Sequence, residues 1–255
     1  MSESVTGCIV TYNNIRTIEK TISSLLENTA VDFKLFVVDN GSTDGTVEII
    51  REKFPAVEII ISGENCGFGK GHNKVLPFLK SKYHCIINPD IIIRDDVISS
   101  MSDYLDNHPE VGMLSPQIRF PDGREQILGK KIPYPHYLIA SRLRCGDKPG
   151  KVLSHYAMLD MDLSAPCPVE NATGCFMFIR TDLFRSLGGF DKRYFMYFED
   201  GDLTREVNKI SKVMFYPYAT IYHEWGRESK KNMRLALVQV QSMLRYYSKW
   251  IFRKG

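Results

Sequence analysis

The amino-acid sequence predicts an α/β fold with a mostly parallel central sheet flanked by helices. In the first hundred residues, short apolar runs alternate with stretches of helical pattern, which is the order of a sheet whose strands are joined by helices. The apolar runs are rich in Val and Ile, as expected for parallel strands that are buried on both faces. With 255 residues and 44% hydrophobic content, the chain can bury one sizeable core or two small ones.

Four strand–helix units account for the first part of the chain. The fourth strand must end near Pro89, because proline has no N–H to donate to a ladder, and Ile91–Ile93 therefore belong to the next packed segment. The predicted strands are Gly7–Tyr12, Phe33–Val38, Val57–Ser62 and Tyr83–Asn88. The predicted helices are Ile15–Asn28, Thr43–Phe54, Lys70–Ser81 and Asp95–Asn107.

The second part of the chain is less regular. Residues Pro116 to Pro168 are rich in Pro, Gly and basic residues, and they predict loops with one helix near Pro135–Arg144 and no second core. The other predicted elements are strands at Val111–Leu114, Ala172–Arg180, Val213–Tyr216 and Thr220–His223, with helices at Thr181–Leu187 and Gly201–Ser211.

A closing helix is predicted from apolar residues at i, i+3/i+4 spacing. Such a stripe is typical of a helix with one apolar face. A helix packed on the body, a membrane-surface helix and a dimer contact all fit the pattern, and packing is favoured. The stripe consists of Met233, Leu237, Val240, Leu244, Tyr247 and Ile251.

The charge distribution excludes one class of partner and favours another. Lys plus Arg (33) and Asp plus Glu (30) nearly cancel, so there is no global signature of nucleic-acid binding. From Ser229 to Gly255, however, there are seven basic residues and no acidic one. Such a basic tail favours an anionic partner surface, a membrane or a phosphorylated lipid, and makes peripheral contact with the plasma membrane an expectation.

The cysteines predict a cytoplasmic protein. The six cysteines form no C-x-x-C pair and no N-terminal signal pattern is present, so they are interpreted as reduced thiols. No apolar run approaches the length of a membrane span. Oligomer formation stays open.

Polar residues follow all four of the first predicted strands. The carboxyl ends of parallel strands lie on one edge of the sheet, where ligands of such folds bind. Any single loop could be an ordinary turn, but four in register predict a polar ligand site. The four loops are Thr11 to Asn14, Asp39 to Gly45, Asn65 to Asn73, and Asn88 to Asp90.

Known nucleotide motifs do not fit these loops. Gly67-Phe-Gly-Lys-Gly approaches a dinucleotide fingerprint, but His72 stands where its last glycine should be and the loop follows the third strand. No G-x-x-x-x-G-K-[ST] is present, which excludes a P-loop.

Seven ordered segments resemble the family-2 inverting glycosyltransferases with the GT-A fold, and most closely their rhamnosyltransferase-like members. The resemblance covers about Val5 to Ser229. It implies a glycosyltransferase domain over residues 1–228, with a nucleotide-binding half (1–115) and an acceptor-binding and catalytic half (116–228), followed by a basic C-terminal helix (229–255). The segments are VTYNN, VVDNGSTDGT, NCGFGKGHN, INPD, TGCFMFIR, GGFDKRYFMYFEDGDLTR and YHEWGRES.

The resemblance implies a divalent cation, Mn²⁺ or Mg²⁺, at Asp90 and His223. The family's Asp-x-Asp is Asn88-Pro89-Asp90 here, so only the last carboxylate remains. Mg²⁺ tolerates one or two protein carboxylates when phosphate oxygens and water complete its ligands, and an imidazole favours Mn²⁺. The structural alternatives are a plain Asn-Pro-Asp turn and a histidine at a strand end.

The resemblance also implies which residues bind the nucleotide. Asp39 would accept a hydrogen bond from N3–H of uracil or thymine, while Thr11 and Tyr12 would pack on the base and ribose. Gly67, Gly69 and Asn73 would form a loop that approaches the donor closely, since glycine lets the backbone reach a ligand. The other nucleotide-binding residues are Asn13, Asn40, Gly41 and Asn88. Alternatively, Asp39 and Asn40 form a turn, and Thr43 or Asp44 caps the next helix.

Glu199 and Asp200 are the implied catalytic carboxylates. An inverting transfer needs one general base to take the proton of the acceptor hydroxyl, and that base would be Asp200, with Glu199 orienting the acceptor. Asp202 is expected to cap the following helix, with Arg205 as its partner. The acceptor or the sugar would lie at Thr173, Gly174 and Cys175, although Cys175 also suits a small core position.

The expected reaction is transfer of a sugar, with L-rhamnose from dTDP-L-rhamnose favoured, to a hydroxyl of a glycan or lipid-linked glycan in cell-surface polysaccharide biosynthesis. A UDP-hexose, N-acetylhexosamine or galactofuranose transferase is the alternative within the class. A non-catalytic nucleotide-sugar-binding homologue is the alternative outside it. A sugar nucleotidyltransferase is disfavoured, because TYNNIRT lacks the expected glycine- and arginine-rich loop.

Overall fold

The computed structural model describes residues 4–142, 149–224 and 233–252, with the side chains of residues 251 and 252 outside the description. The strands are β1 (Val5–Thr11), β2 (Phe33–Asp39), β3 (Glu58–Ile61), β4 (Tyr83–Ile87), β5 (Ile91–Ile93), β6 (Val111–Arg119), β7 (Cys167–Pro168), β8 (Phe176–Arg180) and β9 (Lys212–His223). The helices are α1 (Ile18–Glu27), α2 (Thr46–Lys53), α3 (Phe68–Asn73), α4 (Val97–Asn107), α5 (Pro135–Arg142), α6 (Lys151–Tyr156), α7 (Thr181–Ser186), α8 (Glu199–Val207) and α9 (Met233–Phe252).

The strands form one sheet in the order β3-β2-β1-β4-β8-β6-β9-β5, with β7 paired to β9. Strands β3, β2, β1 and β4 are mutually parallel, which confirms the predicted arrangement of the first part of the chain. The sheet then becomes mixed, because β8 is antiparallel to both β4 and β6 while β6 and β9 are parallel. The result is an α/β fold whose second half departs from the parallel pattern.

The register of the parallel strands places their polar ends side by side. Thr11 pairs with Asp39, and Asp39 in turn pairs with Ile61. On the other side of β1, Ile9 pairs with Ile87, so that Asn88 follows directly at the same edge. The predicted alignment of the four loops is therefore present.

The Asn88-Pro89-Asp90 segment separates two strands, as predicted from the proline. β4 ends at Ile87, and β5 starts at Ile91 and pairs antiparallel with β9 at the opposite end of the sheet. Ile91 lies opposite His223 in this pairing. The break thus redirects the chain and brings Asp90 next to the end of β9.

The irregular segment carries a small core of its own, contrary to the prediction of no second core. Tyr137 on α5 and Tyr156 on α6 stack with ring centroids 4.8 Å apart, and Leu153 packs with them. The periodicity did not predict α6, because a helix of six residues is too short to show a repeat. Two larger clusters, one on each face of the sheet, form the main core.

Two predicted element boundaries are wrong for reasons visible in the structure. The predicted strands Val213–Tyr216 and Thr220–His223 form one continuous strand, with an irregularity opposite Pro116 and Gln117 that absorbs the residues between them. The predicted helix Lys70–Ser81 ends at Asn73 and gives way to a 3₁₀ turn containing Pro77, whose ring nitrogen cannot continue helical hydrogen bonding.

Helix α9 packs on the body, as the favoured prediction has it, but the face that packs is opposite to most of the predicted apolar stripe, which faces outward. Met233, Leu237, Val240 and Leu244 have exposed fractions of 81%, 60%, 48% and 61%. The predicted stripe residue Ile251 lies outside the described side chains. The opposite face, which contains polar residues, is the one that packs on the body.

No helix of the described ranges is long and apolar enough to cross a membrane. The five described cysteines are free thiols.

Candidate functional site

The loop after β2 is held by the carboxylate of Asp39. This side chain is buried, and its Oδ2 accepts hydrogen bonds from the backbone N–H groups of Gly41 (3.0 Å) and Ser42 (3.1 Å). Gly41 adopts a φ of 85°, which an L side chain disfavours. The turn that was the structural alternative for Asp39 is therefore present, and a nucleotide-binding role for the same carboxylate stays a prediction.

The loop after β1 interlocks with the loop after β2. Asn13 has a φ of 57°, its backbone N–H donates to Ser42 Oγ (2.9 Å), and its Oδ1 accepts from the Thr43 N–H (2.8 Å). Thr11 Oγ1 donates to the side chain of Asn14 (3.0 Å). These contacts leave the ring of Tyr12 half exposed at the sheet edge.

The glycine-rich loop packs against the segment that precedes α8. Gly67 has a φ of 88°, and a Cβ added there would lie only 2.1 Å from the carbonyl oxygen of Phe195. A Cβ at Gly69 would lie 2.8 Å from Phe190. Asn73 donates to Phe190 O (2.7 Å) and accepts from Phe190 N–H (2.8 Å). Packing within the protein thus accounts for these three residues, and donor contact by them stays a prediction.

Asn40 ties the same loop to the sheet edge. Its amide donates to Gly67 O (3.1 Å), while its Oδ1 accepts from Cys66 Sγ (3.2 Å). The three loops after β1, β2 and β3 consequently form one connected rim.

Asp90 and His223 meet at the end of β9. His223 Nε2 lies 3.4 Å from Asp90 Oδ2, and both residues lie within two positions of the β5–β9 pairing. The other oxygen of Asp90, Oδ1, is buried and has no hydrogen-bond partner among the described residues. A buried oxygen without a partner is costly, so this carboxylate has the capacity to hold a further ligand.

Gln126 holds both the backbone and the ring of His223. Its Nε2 donates to His223 O (2.6 Å), and its Oε1 lies 3.3 Å from His223 Nδ1. Burial lowers the pKa of His223, but Cys175 and the Asp90 carboxylate raise it by more, to about 10. The protonated imidazole is therefore favoured, and it pairs with Asp90. The sequence offered no signal for Gln126, a single amide within a loop.

Asp200 lies in the first turn of α8 and is held by two backbone donors. Its Oδ2 accepts from Gly174 N–H (2.9 Å), and its Oδ1 accepts from Gly201 N–H (2.8 Å). A Cβ at Gly174 would lie 3.0 Å from Asp200 Cβ, so any larger residue there would crowd the Asp200 side chain. Burial raises the pKa of Asp200, although the two N–H donors act in the opposite direction.

Glu199 differs from its neighbour in having no such support. It is buried, and its Oε2 has no hydrogen-bond partner within the described part of the chain. Burial, together with the charge of Asp200, raises the pKa of Glu199 to about 8. At neutral pH Glu199 is therefore protonated, while the two N–H donors make Asp200 the carboxyl group of the pair that favours the charged form, which separates their roles.

The backbone before this pair is strained. Tyr197 and Phe198 have φ values of 71° and 68°, a conformation that side chains with a Cβ rarely adopt. Each such residue costs on the order of 1–3 kcal/mol and persists only where its surroundings hold it. Helix α9 helps to stabilise this strained conformation, because Ser242 Oγ donates to Met196 O (2.7 Å) and Tyr246 packs on Phe198.

Two consecutive residues join the Asp200 region to the Asp90 region. Gly174 N–H binds Asp200, and the carbonyl of the next residue, Cys175, accepts from Asn88 N–H (2.9 Å). Gly174 and Cys175 are neighbours, and the Cα atoms of neighbouring residues are about 3.8 Å apart. The Asp200 carboxylate and the Asn88 backbone are therefore bound to adjacent residues of one segment. The structure thus brings together five predicted site residues, Asn88, Asp90, Gly174, Cys175 and Asp200, with His223 completing the group.

A small pocket lies beside this group, and the predicted residue Thr173 lines it. Lys130 lines it, and its ammonium lies 4.6 Å from the centre of the Phe215 ring. Burial lowers the pKa of Lys130. Ser115, Gln117, Gln126 and Asn171 add further polar groups to the lining.

The predicted capping role of Asp202 and its pairing with Arg205 are wrong. Asp202 is buried and binds Lys249 (2.6 Å) and Trp250 Nε1 (2.8 Å) on α9, while Arg205 stacks on the Trp250 ring at 4.0 Å. No side chain caps α8, because the residue before it is Phe198 in a left-handed conformation. Sequence reasoning missed Lys249, because a lysine in a basic tail gives no sign of being buried.

Sequence relatives include two proteins named as rhamnosyltransferases. The N-acetylglucosaminyl-diphospho-decaprenol L-rhamnosyltransferase of Mycobacterium tuberculosis (strain CDC 1551 / Oshkosh) is 28% identical over 239 residues, covering 88% of this chain and 76% of that protein. Rhamnosyltransferase WbbL of Escherichia coli (strain K12) is 28% identical over 198 residues, covering 72% of this chain and 71% of that protein.

Solved structures share the fold. A mannosyltransferase from Pyrobaculum calidifontis, in complex with GDP-Man and Mn²⁺, superposes with a TM-score of 0.69 at 19% identity, over 100% of this chain and 65% of that one. GalNAc-T7 with UDP, GalNAc and Mn²⁺ superposes with a TM-score of 0.68 at 13% identity, over 99% of this chain and 49% of that one. At these identities the likeness concerns the fold alone, which is GT-A, as predicted.

The model of the family described as "Glycosyl transferase family 2" matches residues 6–188, which is more than half of the chain. The match covers the parallel strands, the edge loops, Asp90 and Gly174, and it ends before Asp200 and His223. It confirms the family expected from the sequence segments. This chain belongs to glycosyl transferase family 2.

Proposed function

We propose that this chain is an inverting glycosyltransferase that moves a sugar from a nucleotide-diphospho-sugar to a hydroxyl group of a glycan or lipid-linked glycan in cell-surface polysaccharide biosynthesis. The favoured donor is dTDP-L-rhamnose, because two relatives at 28% identity are named as rhamnosyltransferases. The name of one of them contains a diphospho-decaprenol, which supports a lipid-linked acceptor.

The observation that carries the proposal is the placement of Asp200. Its carboxylate accepts a hydrogen bond from Gly174 N–H. The next residue, Cys175, accepts a hydrogen bond from Asn88 N–H, two positions before Asp90. In the proposed reaction the acceptor oxygen attacks the anomeric carbon from the side opposite to the diphosphate. The bond from that carbon to the diphosphate oxygen breaks, the nucleoside diphosphate leaves, and the acceptor proton passes to Asp200. Burial raises the pKa of Asp200, which favours proton uptake near neutral pH.

The connected rim of edge loops is the proposed nucleotide site. Asp39 is an acceptor-only group and suits the N3–H of thymine or uracil, even while it holds its own turn. The half-exposed ring of Tyr12 offers a surface on which a base can stack.

Asp90 and His223 fit a divalent cation, either Mn²⁺ or Mg²⁺. The partnerless Oδ1 of Asp90 is a suitable donor atom, and Nε2 of His223 becomes one when the cation displaces its proton. The described residues contain no group of three or more His, Cys, Asp or Glu able to hold a metal, so diphosphate oxygens and water would supply the other ligands. When bound, such a cation would neutralise charge on the leaving diphosphate.

The first test measures release of nucleoside diphosphate from dTDP-L-rhamnose and from a panel of UDP-sugars. We expect turnover to be highest with dTDP-L-rhamnose. Asp200→Asn should lower turnover by about a hundredfold or more, because the proton acceptor is lost, and it should leave the affinity for dTDP unchanged.

Asp162→Asn is the control for this test, because Asp162 is an exposed aspartate away from the group around Asp200. Appreciable turnover by Asp200→Asn would remove Asp200 as the base. Turnover with a UDP-sugar alone would reassign the donor, and release from no donor would favour a non-catalytic binding protein.

The second test concerns the cation. His223→Ala should weaken Mn²⁺ binding in the presence of dTDP by about tenfold or more, since one of two protein ligands is removed. Titration calorimetry measures the affinity directly, and the exposed His136→Ala provides the matched control. An unchanged Mn²⁺ affinity in His223→Ala would place the cation elsewhere.

A further inference from the structure

The outer face of α9 is a continuous apolar stripe that nothing in the described chain covers. Met233, Leu237, Val240 and Leu244 are all between 48% and 81% exposed. At about 100° per residue these four positions fall within about 40° of one line along the helix. An exposed apolar patch of this kind is typical of an interaction site.

The exposure does not come from loose packing of the helix, because the opposite face is firmly bound. Lys249 forms ion pairs with Asp191 (3.1 Å), Asp202 (2.6 Å) and Glu206 (3.0 Å). Ser242 and Tyr246 on the same face are buried. The helix therefore presents its polar side to the body and its apolar side outward, the reverse of an ordinary surface helix.

The charge around the stripe indicates what covers it. The segment from Ser229 to Gly255 contains seven basic residues and no acidic residue. Within the described helix, Arg234 and Arg245 are exposed and lie beside the stripe at about 100° and 120° from Met233. The remaining basic residues outside Lys249 flank the helix in sequence and lie outside the described residues: Lys230, Lys231, Arg253 and Lys254.

We propose that α9 lies on an anionic lipid surface, with its outer apolar stripe inserted among the lipids and the exposed Arg234 and Arg245 at the headgroups. A helix lying in the interface needs an apolar face and basic flanks, and α9 has both. A second copy of the chain fits less well, since two such faces in contact would bring basic residues together with no acidic residue on either segment. The proposal goes beyond sugar transfer and does not depend on it.

The experiment measures co-sedimentation of the whole chain with vesicles, without any sugar donor. The vesicles contain phosphatidylcholine alone or phosphatidylcholine with phosphatidylglycerol as the anionic lipid. We expect binding to the anionic vesicles, weaker binding to the neutral ones, and weaker binding at high salt. The double variant Leu237→Gln/Leu244→Gln should bind at least about tenfold more weakly, because it removes apolar groups that would enter the lipid.

The matched control is Ile210→Gln/Tyr218→Gln, which replaces two exposed apolar residues outside α9 and should bind as the unchanged chain does. Circular dichroism verifies that both double variants fold, which is expected because all four positions are exposed. Equal binding by the stripe variant, no binding of the unchanged chain, or equal binding to neutral vesicles would overturn the proposal. A lipid-free dimer that Leu237→Gln/Leu244→Gln dissociates, seen by analytical ultracentrifugation, would assign the stripe to a second copy instead.

Discussion

Two adjacent carboxyl groups in α8 show how environment separates residues of nearly the same chemistry. Asp200 receives two backbone hydrogen bonds, whereas Oε2 of the buried Glu199 receives none from the described residues. The donor groups favour charge on Asp200, and burial disfavours a second charge beside it. Glu199 therefore stays protonated near neutral pH, and the backbone donors favour the charged form at Asp200 rather than at Glu199.

This arrangement makes the stability of the fold depend on pH. The pKa of Glu199 is about 8 in the folded chain against 4.5 for the ordinary group, so the folded state holds an extra proton between these values. The free energy of unfolding should therefore fall as pH rises through this window, by up to about 1.4 kcal/mol per pH unit. Glu199→Gln cannot ionise and should lose this dependence.

Urea unfolding of both proteins at pH 5.5, 6.5 and 7.5 tests the prediction. The stability of Glu199→Gln relative to the unchanged chain should increase with each step in pH. Glu52→Gln, at an exposed position on α2, serves as the control and should show no such trend. Parallel curves for Glu199→Gln and the unchanged chain would contradict a protonated Glu199.

At the residue scale, sequence reasoning predicted which candidate site residues lie together but not the contacts among them. The segments around Asp90, Asp200 and His223 were sufficient to predict which residues belong together. The partnerless oxygens of Asp90 and Glu199 depend on burial by distant strands, which no local pattern encodes. Gln126 was missed for the same reason, because its partner is 97 positions away.

At the scale of elements, α9 packs against the segment that precedes α8 and stabilises its conformation. Lys249 reaches three carboxylates at this interface, and its pKa is raised by the hydrogen bond to Asp202 despite the opposing effect of burial. Ser242 and Tyr246 hold the strained residues that precede Glu199. The geometry of Glu199 and Asp200, the proposed catalytic pair, therefore depends on a helix that contributes no group to the proposed chemistry.

Removal of Lys249 should destabilise the chain strongly. Lys249→Met leaves Asp202, which is 1% exposed, as a buried charge without its cation, and such losses cost about 3–5 kcal/mol. Lys209→Met breaks an exposed pair with the same Glu206 and should cost about 1 kcal/mol or less. Urea unfolding at pH 7 measures both values.

A further substitution separates charge from packing in this interface. Asp202→Asn in the Lys249→Met background should recover part of the lost stability, because the uncompensated charge is gone. Equal losses for Lys249→Met and Lys209→Met would show that the buried network does not stabilise the helix.

The same helix shows why periodicity alone was insufficient at this scale. An apolar stripe indicates that one face avoids water, but it does not say whether protein or another apolar surface covers that face. For α1 and α4 the buried faces are covered by the sheet, as the period predicts. For α9, ion pairs and hydrogen bonds determine the buried face instead. The apolar periodicity therefore predicted the wrong face of the helix as the buried one.

At the scale of the whole molecule, the parallel half of the sheet was predictable because each of its units is local. β1 to β4 alternate with helices, and their parallel direction follows from that order. The mixed half of the sheet was not predictable, because β8 lies between β4 and β6 in the sheet although it follows both in the chain. Strand order set by such long-range pairing leaves no mark in a periodic pattern.

The position of β5 constrains any exchange of parts between relatives. This short strand of the first half lies at the far end of the sheet, where Ile91 pairs with His223 of the second half. A hybrid joined near residue 115 would take Asp90 from one parent and His223 from the other, and the two parents would have to agree on this register. A junction between β3 and β4 keeps both residues, and the strands that carry them, in one parental block.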